Sequence, residues 1–228
     1  MGKVTTLYGG ADPRELPAYT ISDAARYLHI HPRTLRSWVR GEGQRFKAVI
    51  ALPDPRRIEL SFLNLVEAHV LNAIRRDHEI SLQKTRRSLE VLESTLGSKR
   101  PLASEVFFTD GVDLFVERLE SLHNVSRNGQ LALKEILREH LRRIDFEQGL
   151  AVRLFPFTRG PGLGEPKAVV IDPTISFGRP VISATGVPTA VIAQRFDAGD
   201  SIDDLARDYD LAPDVVEEAL RCERLAAA

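Results

Sequence analysis

The sequence predicts an α+β fold, mainly α with small β-hairpins, and three observations predict it. Apolar residues recur at helical spacing through much of the chain, as in Phe62, Leu65, Val66, Val70 and Ile74. Short apolar runs bounded by Gly, Pro and Asp-Gly signals interrupt those stretches. One helix-pair pattern also occurs twice: "TISDAARYLHIHPRTLRSWVR" from Thr20 to Arg40 aligns without a gap to "SIDDLARDYDLAPDVVEEALR" from Ser201 to Arg221, 181 residues later. The second half of the first copy is basic and that of the second is acidic.

Along the first copy, Thr20 and Asp23 have capping-box spacing, and Ala24, Ala25 and Leu28 line one helical face. Pro32 suits the first turn of a second helix, whose buried stripe is Leu35, Trp38 and Val39. Two short helices joined by "HIH" make a helix-turn-helix. With Leu35 inward, Arg33, Thr34, Arg36, Ser37 and Arg40 point outward. Trp38 belongs to the core by its spacing from Leu35, and His31, just before Pro32, occupies a cap position.

Next, Gly41 and Gly43 break the helix, and an apolar run from Phe46 to Leu52, a "PDP" turn and "RIEL" read as a β-hairpin, or wing. Its basic residues are Arg45, Lys47, Arg56 and Arg57. A helix then runs from Ser61 to about Arg76. Another follows over "HEISLQKTRRSLEVLESTLG", where Leu82, Thr85, Leu89, Leu92 and Leu96 form a seam for a helix of the same chain or of a second copy. "EVFFTDGVDLFVE" carries a hairpin signal at Asp110-Gly111. A helix from about Gln130 to Arg143 and the run "LAVRLFPF" complete a mixed middle segment. "TRGPGLGEP" reads as a linker to an independent C-terminal unit, since no Gly-Lys-Ser/Thr follows to make it a phosphate loop. The expected divisions are 1–100, 101–159 and 168–228.

With 228 residues, 43% of them hydrophobic and 28% charged, the composition is that of a globular chain. Its apolar runs are too short for a membrane span, and "MGKVTTLYGG" lacks a secretory core, so a cytoplasmic protein is expected. The single cysteine, Cys222, excludes an internal disulfide and reads as a small buried hydrophobe. The net charge of −1 conceals a strong asymmetry: Arg26 to Arg57 contains eight basic residues against Glu42 and Asp54, while Asp197 to Glu218 contains nine acids against Arg207 alone. One end attracts phosphate and the other repels it.

Those outward arginines can reach phosphate or grip guanine bidentately, so Arg33, Thr34, Arg36, Ser37 and Arg40, with wing residues Arg45, Lys47, Arg56 and Arg57, form the candidate DNA-binding set. The acidic copy suits a protein surface instead, through Asp204, Asp208, Asp214, Glu217 and Glu218. His29 and His31 lack a third ligand, and Asp203, Asp204 and Asp208 do not share one face, so no metal site is expected. Without a nucleophile-base pair, a metal cluster or a cofactor loop, neither catalysis nor a cofactor is expected.

Helix-turn-helix, wing, helix and "ISLQKTRRSLEVL", with "PRTLRSW" from Pro32 to Trp38, resemble the N-terminal DNA-binding domain of MerR-type regulators. Their long dimerising helix and effector-binding C-terminus are missing. From Ala168 onward, Ile171 to Pro173, Gly178 to Ile182, Val187-Pro188 and the acidic repeat resemble the domain-of-unknown-function family 433, although that pattern's Arg is Gly186 here. A chain joining the two, with "PLAS" and "FFTDGVDLFVE" between them, resembles VapB-type antitoxins paired with a PIN-like ribonuclease toxin. That resemblance implies a homodimer that silences its toxin and represses their shared operon by binding operator DNA. A stand-alone regulator sensing a small molecule through the middle segment is the competing expectation.

Overall fold

The computed structural model describes residues 8–41, 47–76, 81–123, 127–159 and 165–224. No helix among them is long and apolar enough to cross a membrane. The mainly helical fold with small antiparallel hairpins agrees with the α+β expectation.

The first repeat folds as α1 (Ile21–Leu28) and α2 (Pro32–Arg40). Thr20 caps α1 by accepting from the Asp23 amide, and His31 Nδ1 caps α2 by accepting from the Arg33 amide at 3.1 Å. Trp38 is core, only 1% exposed. The expected wing hairpin does not form among the described residues. Instead β2 (Glu59–Leu60) pairs with β1 (Tyr19–Thr20), and the chain between is held to α2 because the Val49 and Ile50 amides both donate to the Trp38 carbonyl. A two-residue strand gains more beside the cap of α1, where Tyr19 and Leu60 bury together, than against the 46–52 run.

α3 (Phe62–Arg76) is buried on nearly every side, which makes it the central helix of the N-terminal half. Ser61 and Asn64 exchange hydrogen bonds at its start, and Asn64 passes on to Glu67, which pairs with Arg100. α4 (Leu82–Leu96) buries Thr85, Leu89 and Leu92 against α5 (Val112–His123), so the seam is filled within one chain.

The Asp110-Gly111 hairpin is also corrected. Phe107–Gly111 forms a π-helical turn that leads straight into α5. Phe107, Val112, Phe115, Val116 and Leu119 are buried at helical spacing, and that shared face outweighs the turn signal. A Cβ on Gly111 would stand 2.7 Å from the Phe107 ring, so the glycine serves close packing. α6 (Arg127–Leu141) leads to a hairpin of β3 (Ile144–Glu147) and β4 (Leu150–Leu154), turned by Gln148 and Gly149 at φ 53° and 80°.

The C-terminal part contains β5 (Val169–Val170), β6 (Val181–Ile182), α7 (Thr189–Asp197), α8 (Ile202–Asp208) and α9 (Pro213–Glu223). It has its own small core around Ile192, Leu205 and Val216. It does not, however, stand apart from the rest. Leu154 and Ile171 exchange backbone hydrogen bonds of 3.0 and 2.8 Å, and Val169, Ile171 and Cys222 enter the same core as Leu35 and Trp38. Arg143 fixes the joint: its guanidinium donates to the carbonyls of Phe155, Pro156, Glu165 and Pro166 and lies over the Phe157 ring. One buried arginine thus gathers the residues on either side of the Gly- and Pro-rich stretch, whose positions 160–164 lie outside the described residues.

Candidate nucleic-acid and partner interfaces

The two repeat copies fold alike to the level of single hydrogen bonds. Ser201 caps α8 by accepting from the Asp204 amide at 3.1 Å, as Thr20 does from Asp23, also at 3.1 Å. Arg207 pairs with Asp204 as Arg26 pairs with Asp23. The turn residues His29 and Asp210 adopt φ 52° and 53°, and each turn closes with an amide returning five residues, Ile30 to Ala25 and Leu211 to Ala206. Leu35 and Val216, 181 residues apart, are fully buried. The repeat is therefore one local structure built twice, and the copies differ in what their second helices expose.

On α2, Arg33, Thr34, Arg36 and Arg40 are exposed and Ser37 is half-buried, its hydroxyl donating to the Thr34 carbonyl. None of the three arginines has an ion pair among the described residues, so their charges face solvent uncompensated. Lys47, Arg56 and Arg57 are exposed on the segment that follows, with Arg57 only 3.6 Å from Glu59. Arg45 lies outside the described residues. Arg75 and Arg86 join Ser37 and Gly41 around a shallow cleft at the C-terminal end of α2.

The acidic copy is electrically quieter than its composition suggests. Asp204 pairs with Arg207, and hydrogen bonds from Ser201 and Arg207 hold its carboxyl below the usual range. Asp208 meets Arg195 at 2.6 Å, and Glu217 meets Arg221 at 2.6 Å. Glu218, expected on the partner-facing surface, is 1% exposed. It binds Thr158 Oγ1, Arg159 and Arg221, so it ties α9 to the end of the middle segment. This is a correction: the charge of Glu218 is legible in sequence, but the arrival of Thr158 and Arg159 from some sixty positions away is not. Asp214 remains exposed, with no ion pair among the described residues.

The copies also touch. α1 packs on α9, where Arg26 reaches Glu223 at 2.8 Å, and Tyr19 donates a buried hydrogen bond to the Gly178 carbonyl. Beside this contact opens a cleft of about 480 Å³ walled by Tyr8, Tyr19 and Tyr27. Its rim carries Phe177 and Arg179, which lie in the "ISFGRP" turn between β5 and β6. Sequence reasoning reaches Arg179 only as part of the Gly178 to Ile182 pattern and passes over Phe177, for which the available signal is an aromatic next to a glycine between two prolines. Among the described residues no cluster of His, Cys, Asp or Glu is arranged to hold a metal. Burial pushes the Cys222 thiol pKa up, leaving it an inert core group.

Three comparisons bear on this arrangement. Residues 169–221 match the family described as "Protein of unknown function (DUF433)". The chain is 32% identical to a Mycobacterium tuberculosis (strain ATCC 25618 / H37Rv) protein named "Putative antitoxin VapB45", over 90% of this chain and 93% of that one. Among solved structures, the crystal structure of Rv2018 from Mycobacterium tuberculosis superposes with a TM-score of 0.70 at 30% identity, covering 90% of this chain and 98% of the other.

Proposed function

The chain belongs to the family of the VapB45 antitoxin, and from that membership we propose that it is the antitoxin of a type II toxin-antitoxin pair. In this reading it holds a PIN-like ribonuclease toxin through its C-terminal half and represses the shared operon through its first repeat, as a homodimer on operator DNA. It catalyses no reaction itself. The observation that carries the reading is the contrast at equivalent positions of two matching helices. Arg33 and Arg36 are exposed without carboxylate partners on α2, and Asp214 and Glu217 take their places on α9.

A guanidinium on an exposed second helix can lie on phosphate or pair with a guanine edge, and Lys47, Arg56 and Arg57 extend that positive surface along a duplex backbone. A carboxylate in the same place repels phosphate, so the acidic copy is suited to a protein surface. Asp204, Asp208, Asp214 and Glu217 are among its solvent-accessible acids, and MerR-like docking of α2 in the major groove is the proposed geometry on DNA.

The test is co-purification of the full chain with the toxin encoded beside it, together with a gel-shift titration on the DNA upstream of the pair. Stable capture of that toxin and salt-sensitive DNA binding are the expected results. A chain that binds the DNA, ignores the toxin and responds to a small molecule would instead be a stand-alone regulator.

A further inference from the structure

The shallow cleft at the C-terminal end of α2 gathers positive charge that no described carboxylate answers. Arg75, from the last turn of α3, and Arg86, from the second turn of α4, line it together with Ser37, Gly41 and Ser81. No acid lines the cleft, and α4 opens without one in its first turn. Neither arginine has an ion pair among the described residues. The stretch from Arg75 to Arg87 holds five basic residues against Asp77 and Glu79, which lie outside the described residues, so its charge stays positive even with both acids counted.

Arg86 is left without compensation. Its Nε is buried and makes no hydrogen bond to a described residue. A guanidinium drawn partly out of water without an acceptor is destabilised, and an oxyanion beside it supplies acceptors in charge-assisted bonds. Ser81, at the N-cap of α4, is exposed and its hydroxyl makes no capping bond, so it can donate to the same anion.

Size and position choose among oxyanions. At about 250 Å³ the cleft falls below the ~300 to 1,000 Å³ of pockets that enclose a whole small molecule, so it suits a single phosphate group whose carrier stays outside. Ser37, in its wall, lies one helical turn from both Arg33 and Arg40 on the same side of α2. A phosphate seated in the cleft is therefore adjacent to whatever α2 meets, and a duplex backbone presents its phosphates as a continuous row beside each groove.

We propose that this cleft is a backbone clamp, in which Arg75 and Arg86 hold one phosphodiester of the DNA whose groove α2 enters. The clamp reads no base; it fixes the register and tilt of α2 on the duplex. The proposal rests on the DNA-binding reading of α2 and adds to it two residues from helices outside the repeat.

The experiment titrates the full chain by fluorescence anisotropy against the duplex upstream of its gene pair and against a scrambled duplex of equal length, at several salt concentrations. The parent is compared with Arg75→Gln, Arg86→Gln, the double variant and Arg86→Lys, with melting temperatures measured alongside. The double variant should raise Kd about tenfold on both duplexes, keep the ratio between them, and make log K against log salt less steep by about 1. Arg86→Lys keeps the charge and should hold the parent's slope. Arg75→Gln, at a half-exposed position, should melt with the parent and show part of both effects. A double variant that binds like the parent, while Arg36→Ala weakens binding, removes the cleft and leaves α2 in place. A lost preference for the upstream duplex at an unchanged slope would make the two arginines base readers or supports of the fold, and overturns the clamp. Inorganic phosphate that raises the parent's melting temperature but not the double variant's, with equal DNA affinity in both, would assign the cleft to a free anion instead. If the parent binds neither duplex, the reading of α2 falls and the clamp with it.

Discussion

Arg26 Nη1 lies 2.8 Å from Glu223 Oε2, and this pair fastens the first helix of one repeat to the last helix of the other. Burial works against the Arg26 charge, but Glu223, Tyr27 and Asp23 outweigh it and keep the pKa of the guanidinium above its ordinary value. Glu223→Ala leaves Arg26 with Asp23 as its one carboxylate among the described residues and removes one of the two acceptors within reach of the Thr189 hydroxyl. A loss of about 1 to 3 kcal/mol is expected in urea unfolding. A midpoint unchanged within error would mean that solvent already screens the pair.

Arg36→Ala should weaken operator binding by about 1 to 3 kcal/mol and leave unfolding within about 0.5 kcal/mol of the parent, because the side chain is exposed and holds nothing in the fold. With about six phosphate contacts per subunit, the slope of log K against log salt should be near −5 for each subunit. Titrations at several salt concentrations check both. Equal affinity at every salt concentration would remove α2 from the interface.

Glu218 and Asp214 sit four residues apart on α9 and should respond oppositely to truncation. Glu218→Ala leaves the buried Thr158 hydroxyl without its carboxylate partner and frees the exposed Arg159, while Arg221 keeps Glu217, so the cost is that of the orphaned buried hydroxyl, about 1 to 3 kcal/mol. Asp214→Ala, at an exposed position, should change stability by less than about 0.5 kcal/mol. Equal effects in a denaturant series would contradict the inward placement of Glu218.

His69 supplies a pH signature. Burial, with His140 and Arg143 close by, holds its pKa well below the ordinary 6.5, so the folded chain keeps it neutral. Its ring stacks on Phe157 and bonds the His140 carbonyl at 3.1 Å. Below pH 6.5 the unfolded chain takes up a proton that the folded chain refuses. Stability should therefore be insensitive to this group above that pH and fall as pH drops below it, by up to about 1.4 kcal/mol per unit. His69→Gln should flatten that slope in urea midpoints measured between pH 7 and about pH 5.

The parts of the fold that are legible in the sequence are those decided locally. Both repeat copies, their caps at Thr20 and Ser201, and the starts of α2 and α9 at Pro32 and Pro213 follow from spacing and backbone chemistry. What is hidden depends on distant choices. Glu59–Leu60 selects Tyr19–Thr20 as its strand partner across some forty residues. Gly111 looks like a turn residue until the Phe107 ring is seen pressed against it. At the candidate interfaces, the exposure of Arg33, Arg36 and Arg40 follows from the inward position of Leu35 alone. The inward turn of Glu218 and the fixed position of the Gly178 carbonyl need Thr158 and Tyr19, which sequence proximity does not supply.

Ile171 and Cys222 complete the same apolar interior as Leu35 and Trp38, so damage to the acidic half cannot stay local. A protease that nicks the C-terminal strands would strip the lining from beneath the basic helix pair as well. In the proposed system, repression and neutralisation would then decay on one clock, with no stage at which the operator stays covered after the ribonuclease has been let go.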